Sequence, residues 1–469
     1  MGEGRALATP ATREDVARLF GRAAFGATKN DLDVWTGKDY ALVVDALFPP
    51  ATPVPLPLTD ENARITGESE TFNVTPSQKW WLERMRSTPW PLLERMTLFW
   101  HSHFATAYTG APDVGHVMKQ NNTLRTHALG DFRKMLHALT VDGAMIFWLS
   151  GFQNRRGAIN ENHARELFEL FTMGTMPQTY TENDIRQAAK ALSGWVVNAN
   201  RVGVFDTNRH DRSVKTVFGA DVGGYPAADP REATEYQEIC NLALLQHTTA
   251  RYVAYKMVCS FAYVPDTTDL VNDPDPLVDA VANALRPSWT DPGGVWDITK
   301  AMKTLLNHNA FRYSQRGTGN VLVRSPIELI VHLGRILGAS LNNNNAQTHW
   351  MPLFGLQRMG QTPFRPPNVA GWPMGTDWLT APAVQGRYNI GDLMAKVWAS
   401  QGLTTAAATI LPASGDVPAW ISFMGLGKLT PETQQRINAY LANPGTGDEP
   451  TKQRSMLILL AASPDWQVM

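Results

Sequence analysis

A mainly α-helical fold, one large multi-helix bundle in a single domain, is what this sequence predicts, and three observations predict it. Apolar residues recur at i, i+3, i+4 and i+7 along most of the chain. N-cap residues such as Thr12, Asn160 and Thr181 open these runs, and glycines such as Gly174 and Gly194 close them. A β-like pattern is confined to a loop-rich insertion at residues 195–233, where one short hairpin is expected.

The elements follow in order. "TREDVARLFGRAAFGA" starts with Thr12 as N-cap and Asp15 at N3, a capping-box pattern. "YALVVDALF" continues the helical period, and a Pro-rich connector covers 49–57. "SQKWWLERMRS" and "WPLLERMTLFWHSHFA" read as two amphipathic helices, followed by "LRTHALGDFRKMLHALT" and "DGAMIFWLSG". A helix from Glu161 to Met173 is expected with Asn160 as cap and Gly174 as its C′ stop. Thr181 with Asp184 opens "ENDIRQAAKALSG". "WVVNANRVGVFD" supplies the hairpin, being β-branched around a central turn signal. Helices resume over 232–245, 248–263, 276–285, 297–308 and 325–340, before an Asn-rich loop at 342–345. "RPPNVAGWPMGTDWL" is a structured loop, since its Pro and Gly spacing forbids a regular helix. "PETQQRINAYLA" and "TKQRSMLILLAASPDWQVM" close the chain as helices. With no internal repeat and no low-complexity linker, residues 10–469 read as one domain.

Composition narrows the partners. The 42 basic and 43 acidic residues leave a formal charge of −1, which removes the general pull toward phosphate backbones, so nucleic acid is not expected. The two cysteines, Cys240 and Cys259, support neither a disulfide scaffold nor a cysteine zinc site. Cys259 lies in the apolar run "RYVAYKMVCSFAYV" and reads as a buried thiol. No run reaches the roughly 18 apolar residues of a membrane span. The first residues lack a secretory h-region, so the sequence as given is expected in the cytoplasm, or exported if a leader has been removed.

Three constellations can carry chemistry. In "NENHARELFEL" the stripe Ala164, Leu167, Phe168 and Phe171 faces a core, while Glu166 and Glu169 point away from it. Either that outer face is solvated, with an Arg165–Glu169 pair at i, i+4, or it lines a cleft. His163 and Glu166 at i, i+3 have a spacing that can present imidazole and carboxylate to one metal. Asn160, Glu161 and Asn162 bind a ligand or cap the helix. In "FWHSHF", His101 and His103 would chelate together only on an extended backbone; on a helix they diverge by about 200°. A helix places His103 on the apolar stripe, as a structural histidine or a ligand. In "NRHDRSVKTVFG", His210, Asp211 and Lys215 form an acid–base or ligand group, or a plain surface loop. There is no G-x-S-x-G elbow, Walker loop, H-E-x-x-H or dinucleotide fingerprint, which disfavours nucleotide-driven and common serine-hydrolase chemistry.

Several segments together resemble the bacterial family DUF1800: "RLFGRAAFGAT", "ERMTLFWHSHFAT", "NENHARELFELFTMG", "YTENDIRQAAKALSGW", "HDRSVKTVFG", "SPIELI" and "RPPNVAGWPMGTDWL". The resemblance runs from about residue 15 to 465 and implies a mostly helical protein, with no general function attached. It implies motif positions at His101, His103, Asn160, Glu161, Asn162, Arg165, Glu166, Glu169, Asp184, Trp195, His210, Asp211, Lys215, Gly371, Trp372 and Pro373. Relatives commonly carry an aromatic residue at position 163, which argues against His163 as a ligand. Many relatives are exported, whereas this sequence shows no such leader.

The expectation is then an enzyme, hydrolytic or oxidative, with a pocket between the FWHSHF and NENHARELFEL segments. A divalent metal ion would be held by His101, His103, Glu161 and Glu166. Glu166, Glu169, Arg165, His210 and Asp211 would act on a small-molecule or peptide substrate, with Asn160, Asn162, Lys215 and Trp372 binding it. Two alternatives stand beside it: a non-catalytic helical binding or scaffolding protein, and a metal-free acid–base enzyme. Oligomeric state is open.

Overall fold

The protein is described by a computed structural model that covers residues 9–50, 74–175, 179–266, 269–270, 272–273, 275–286, 294–313, 322–342, 345–401 and 411–468. Most of the Pro-rich connector and part of the Asn-rich loop lie outside the described residues. Helices dominate, and strands among the described residues form only two small antiparallel pairs. The fold is mainly α, as the periodicity requires.

Two of the expected N-caps act where the sequence places them. Thr12 and Asp15 close a reciprocal box at the head of Arg13–Ala23, and Thr181 and Asp184 do so for Glu182–Ala191. Ser325 and Glu328 form another at Pro326–Leu337. Each box satisfies two otherwise orphaned backbone donors. Helices at 276–285, 298–307 and 326–337 fall within the expected spans. No helix among the described residues is long and apolar enough to cross a membrane.

The middle segment holds two hairpins where one was expected. β1 (Trp195–Val197) pairs with β2 (Gly203–Phe205) in the register Trp195↔Phe205, as "WVVNANRVGVF" predicts. β3 (Val214–Val217) pairs with β4 (Ala220–Gly223) through the two-residue turn Phe218–Gly219. Both turn residues have positive φ, 51° and 78°, the pattern of a type I′ hairpin. Asn or Asp normally holds the first of those positions, which is why "FG" hides the turn. Two outside contacts hold Phe218 there: its N–H donates to Asp184 at 2.8 Å, and its ring lies 5.1 Å from that of Phe168.

Buried apolar side chains form two cores that meet at the helix Pro91–His103. Leu92, Met96, Phe99 and Trp100 belong to a core shared with helices on either side of the hairpins. Leu98 joins a second core built from Val74–Ser87, Pro326–Leu337 and the C-terminal helices. In this central helix every residue but Leu93 and Ser102 is buried, so its polar side chains must find partners inside the protein. Glu94 accepts hydrogen bonds from Arg84 Nε (2.6 Å), Arg125 Nε and Nη2 (2.6 and 2.9 Å) and Trp81 Nε1 (3.0 Å). Burial alone would raise its pKa, but the charges and hydrogen bonds of Arg125 and Arg84 outweigh that and hold it down to about 2. Next to it, Arg95 pairs with Glu328 at 2.9 Å and donates to the Ser260 carbonyl at 3.0 Å. Two adjacent residues thus pin the central helix to opposite neighbours.

Because the folded pKa of Glu94 lies below its unfolded value of 4.5, its contribution is present above pH 4.5 and fades as pH falls through 2. Glu94→Gln is expected to lower unfolding free energy near neutrality by about 3 kcal/mol. In urea titrations the gap between wild type and variant should narrow steadily from pH 4.5 downward. A gap that is independent of pH would contradict this assignment.

Candidate functional site

The central helix carries both histidines of "FWHSHF", and as on any helix they face opposite ways. His101 is fully buried among Trp81, Trp372 and Phe364, with ring centroids at 5.3, 5.3 and 5.7 Å. Neither of its nitrogens has a hydrogen-bond partner, and burial pushes its pKa down to about 3. His103 donates from Nε2 to the Phe171 carbonyl at 3.1 Å, while its Nδ1 has no partner. Burial, reinforced by the nearby charge of Lys256 and opposed by that hydrogen bond, also holds its pKa down to about 3. Both imidazoles are neutral at ordinary pH.

The "VAGWP" loop docks on this helix. Gly371 has φ 89°, and a Cβ there would lie 2.2 Å from the Ser102 carbonyl oxygen. Only glycine permits that approach. The following residue, Trp372, donates its backbone N–H to Ser102 Oγ at 3.2 Å and sets its indole against His101.

The "NENHARELFEL" segment begins as the α-helix Asn162–Glu166 and continues as a π-helix, Leu167–Thr172. Asn160 Oδ1 accepts the Asn162 N–H at 3.0 Å, but the N-cap position falls on Glu161, one residue later than expected, and Glu161 makes no side-chain cap bond. Asn162 Nδ2 donates to the Leu149 carbonyl. Arg165 makes a two-pronged contact with Glu182 (2.8 and 2.7 Å) and a longer one with Glu169 (3.4 Å), while Glu161 meets Arg186 at 3.3 Å. These groups form a partly exposed ion network. Glu166 is half-buried and has no hydrogen-bond or ion-pair partner among the described residues. Burial, helped by the charge of Glu169 and opposed by Arg165, raises its pKa.

The four residues expected to hold a metal do not assemble as a ligand set. His101 is enclosed by aromatic rings, His103 is tied to a carbonyl, and Glu161 is engaged by arginines. Among the described residues no group of three or more His, Cys, Asp or Glu is placed to hold a metal ion. The two segments do meet, but through His103 and Phe171 rather than through carboxylates.

The third constellation is an interior cluster. His210 Nε2 lies 3.0 Å from Glu235 Oε2, and its Nδ1 donates to the Ser193 carbonyl at 2.9 Å. Lys215 Nζ pairs with Glu235 Oε1 and donates to the Asp211 carbonyl. All three side chains are buried. The partner of His210 is therefore Glu235 and not Asp211, whose carboxylate instead accepts from the Ser213 N–H and hydroxyl. Gly223 leaves room for the Glu235 carboxylate, since a Cβ would lie 2.6 Å from it.

A cavity of about 60 Å³ lies beside His103, between the central helix, the helix His247–Phe261, the start of Pro326–Leu337 and the loop Trp372–Trp378. That is space for a few waters or the head of a small ligand. Its wall includes Arg95, Ser102, Lys256, Glu328, Trp372 and Cys259. Trp372 Nε1, Arg95 Nε, His103 Nδ1 and Glu328 Oε1 are buried there without a hydrogen-bond partner. Burial raises the Cys259 thiol to about 12, so it is no thiolate. Sequence reasoning found Trp372 and His103 but missed Arg95, Lys256 and Glu328. The available signals were the single lysine in "RYVAYKMVCSFAYV" and the N3 glutamate of "SPIEL".

The interior cluster and the exposed network are expected to differ sharply on substitution. Glu235→Ala, which strands His210 and Lys215, should cost about 3–5 kcal/mol in a urea titration. Arg165→Ala should leave the midpoint nearly in place, as exposed pairs do. Equal losses from the two would show that the buried cluster is not a structural tie.

Comparison with known proteins gives one match: the model of the family described as "Protein of unknown function (DUF1800)" covers residues 18–468. No curated protein and no solved structure matches the chain.

Proposed function

The chain belongs to the DUF1800 family, and from that premise we propose that it is a small-molecule-binding protein whose ligand enters the cavity beside Trp372. The observation that carries this reading is the set of buried polar atoms without a hydrogen-bond partner on the cavity wall, Trp372 Nε1, Arg95 Nε, His103 Nδ1 and Glu328 Oε1. Buried polar atoms are costly to leave unpaired, and a ligand or water in the cavity satisfies them.

Three segments quoted for the resemblance supply the wall: "FWHSHF" through Ser102 and His103, "SPIELI" through Ser325 and Glu328, and "GWPMG" through Trp372 to Gly375. Binding is favoured over acid–base or nucleophilic chemistry because the wall holds no activated pair. Its imidazole is neutral and tied to a carbonyl, its thiol is protonated, and its carboxylate is engaged by Arg95. A metal-dependent enzyme would need a group of ligands that is not gathered among the described residues.

Thermal melting of the full chain against a panel of small acids, amines, sugars and peptides tests the proposal. A true ligand at 100 times its Kd should stabilise the protein by about 2.7 kcal/mol. The shift should vanish in Ser260→Phe, which fills the cavity from the His247–Phe261 helix. A panel without any shift, or a shift that survives Ser260→Phe, removes the cavity from consideration.

A further inference from the structure

We infer that the ligand of this cavity carries an oxyanion, a carboxylate or phosphate group on a short apolar chain, and that Lys256 is its counter-ion. The inference rests on the binding reading above and names the ligand class.

One positive charge on the cavity wall is left without a counter-charge. Arg95 and Glu328 cancel each other across 2.9 Å. His103 is neutral and Cys259 protonated. That leaves Lys256, half-buried on the helix His247–Phe261, with no hydrogen-bond acceptor and no carboxylate partner among the described residues. Its burial without a counter-charge pulls its pKa down. A partly desolvated ammonium of this kind is stabilised most by an anion beside it, which supplies the missing counter-charge.

Hydrogen-bonding capacity points the same way. Around the cavity the ammonium offers three donors, Trp372 offers its indole N–H, and Arg95 keeps Nε–H free. These five donors outnumber the two acceptors on the wall that lack a hydrogen bond, Glu328 Oε1 and the lone pair of His103 Nδ1. A carboxylate or phosphate presents several lone pairs and a negative charge at once, whereas a hydroxyl leaves the ammonium charge uncompensated and an amine adds donors where donors are already in surplus. Beside Ser260, Ser325 and Gln361, the wall has an apolar part, Leu98, Phe99, Leu322, Val323 and Trp378, that suits methylene groups. The cavity of about 60 Å³ has room for the head of such a ligand.

The test uses the full chain and four matched straight-chain series, carboxylates, alkyl phosphates, alcohols and alkylammonium ions of butyl to octyl length. Binding is read by tryptophan fluorescence, since Trp372 and Trp378 line the cavity, and by melting temperature. Carboxylates or phosphates should bind about tenfold more tightly than the alcohol of equal length, and alkylammonium ions should not bind. Which of the two anion series is tighter identifies the headgroup. Lys256→Met should shrink the anion preference to about twofold or less, while Lys256→Arg, which keeps the charge, should retain most of it. Alcohols binding as tightly as anions, or a preference that survives Lys256→Met, overturns the anion assignment and leaves the cavity as a neutral-ligand site. Binding by none of the four series overturns both readings together.

Discussion

One helix buried on all sides sets the terms for everything around it. A helix satisfies its own backbone, so Pro91–His103 can sit between two cores. Its side chains have no such recourse, and four of them are ionisable: Glu94, Arg95, His101 and His103. Each finds a different solution. Glu94 gathers Arg84, Arg125 and Trp81, Arg95 takes Glu328 and the Ser260 carbonyl, and His103 takes the Phe171 carbonyl. His101 is kept neutral and used as an aromatic ring. These contacts reach five other segments, so the polar residues of one helix position much of the chain.

The carbonyl offered to His103 follows from how the neighbouring helix ends. The last carbonyls of any helix lack intrahelical donors, and Phe171 lies just before Gly174, which terminates the run at φ 78°. The π-helical wind over Leu167–Thr172 changes the phase of that last turn: the Met173 N–H donates to the Phe168 carbonyl, five residues back, and the Thr172 hydroxyl to the Leu167 carbonyl. Such one-turn widenings are uncommon and recur at functional sites. Here the widening lets Leu167, Phe168 and Phe171 stay in the core while the segment still delivers a free carbonyl to the central helix.

Local signals were legible in the sequence and distant pairings were not. The boxes at Thr12 and Thr181, the stop at Gly174 and the β1–β2 hairpin rest on residues a few positions apart. The Phe218–Gly219 turn was hidden because tertiary contacts with Asp184 and Phe168 replace the usual turn residues. His210 shows the same limit within the site. Asp211 is its neighbour in sequence, yet its carboxylate partner is Glu235, which reaches it only once the helix Glu235–Leu245 packs under the hairpins. Arg165–Glu169 was visible as an i, i+4 pair, while its stronger partner Glu182 belongs to the next helix. Periodicity separates inward from outward positions, but it cannot say which outward positions a later segment will cover.

That limit also explains why a cavity exists where it does. Interiors are close-packed, and apolar side chains ordinarily shift to fill a void. The walls of this one cannot shift freely. Arg95 and Glu328 hold each other within its wall, and Ser102 is fixed by the Trp372 N–H and by the close approach of Gly371. His103 is anchored at its far edge to Phe171. Space between rigidly held polar groups stays open and is suited to something that hydrogen-bonds, because an empty polar cavity leaves its donors unsatisfied. The interactions that let a polar helix be buried are therefore the same ones that keep a small polar chamber beside it from collapsing.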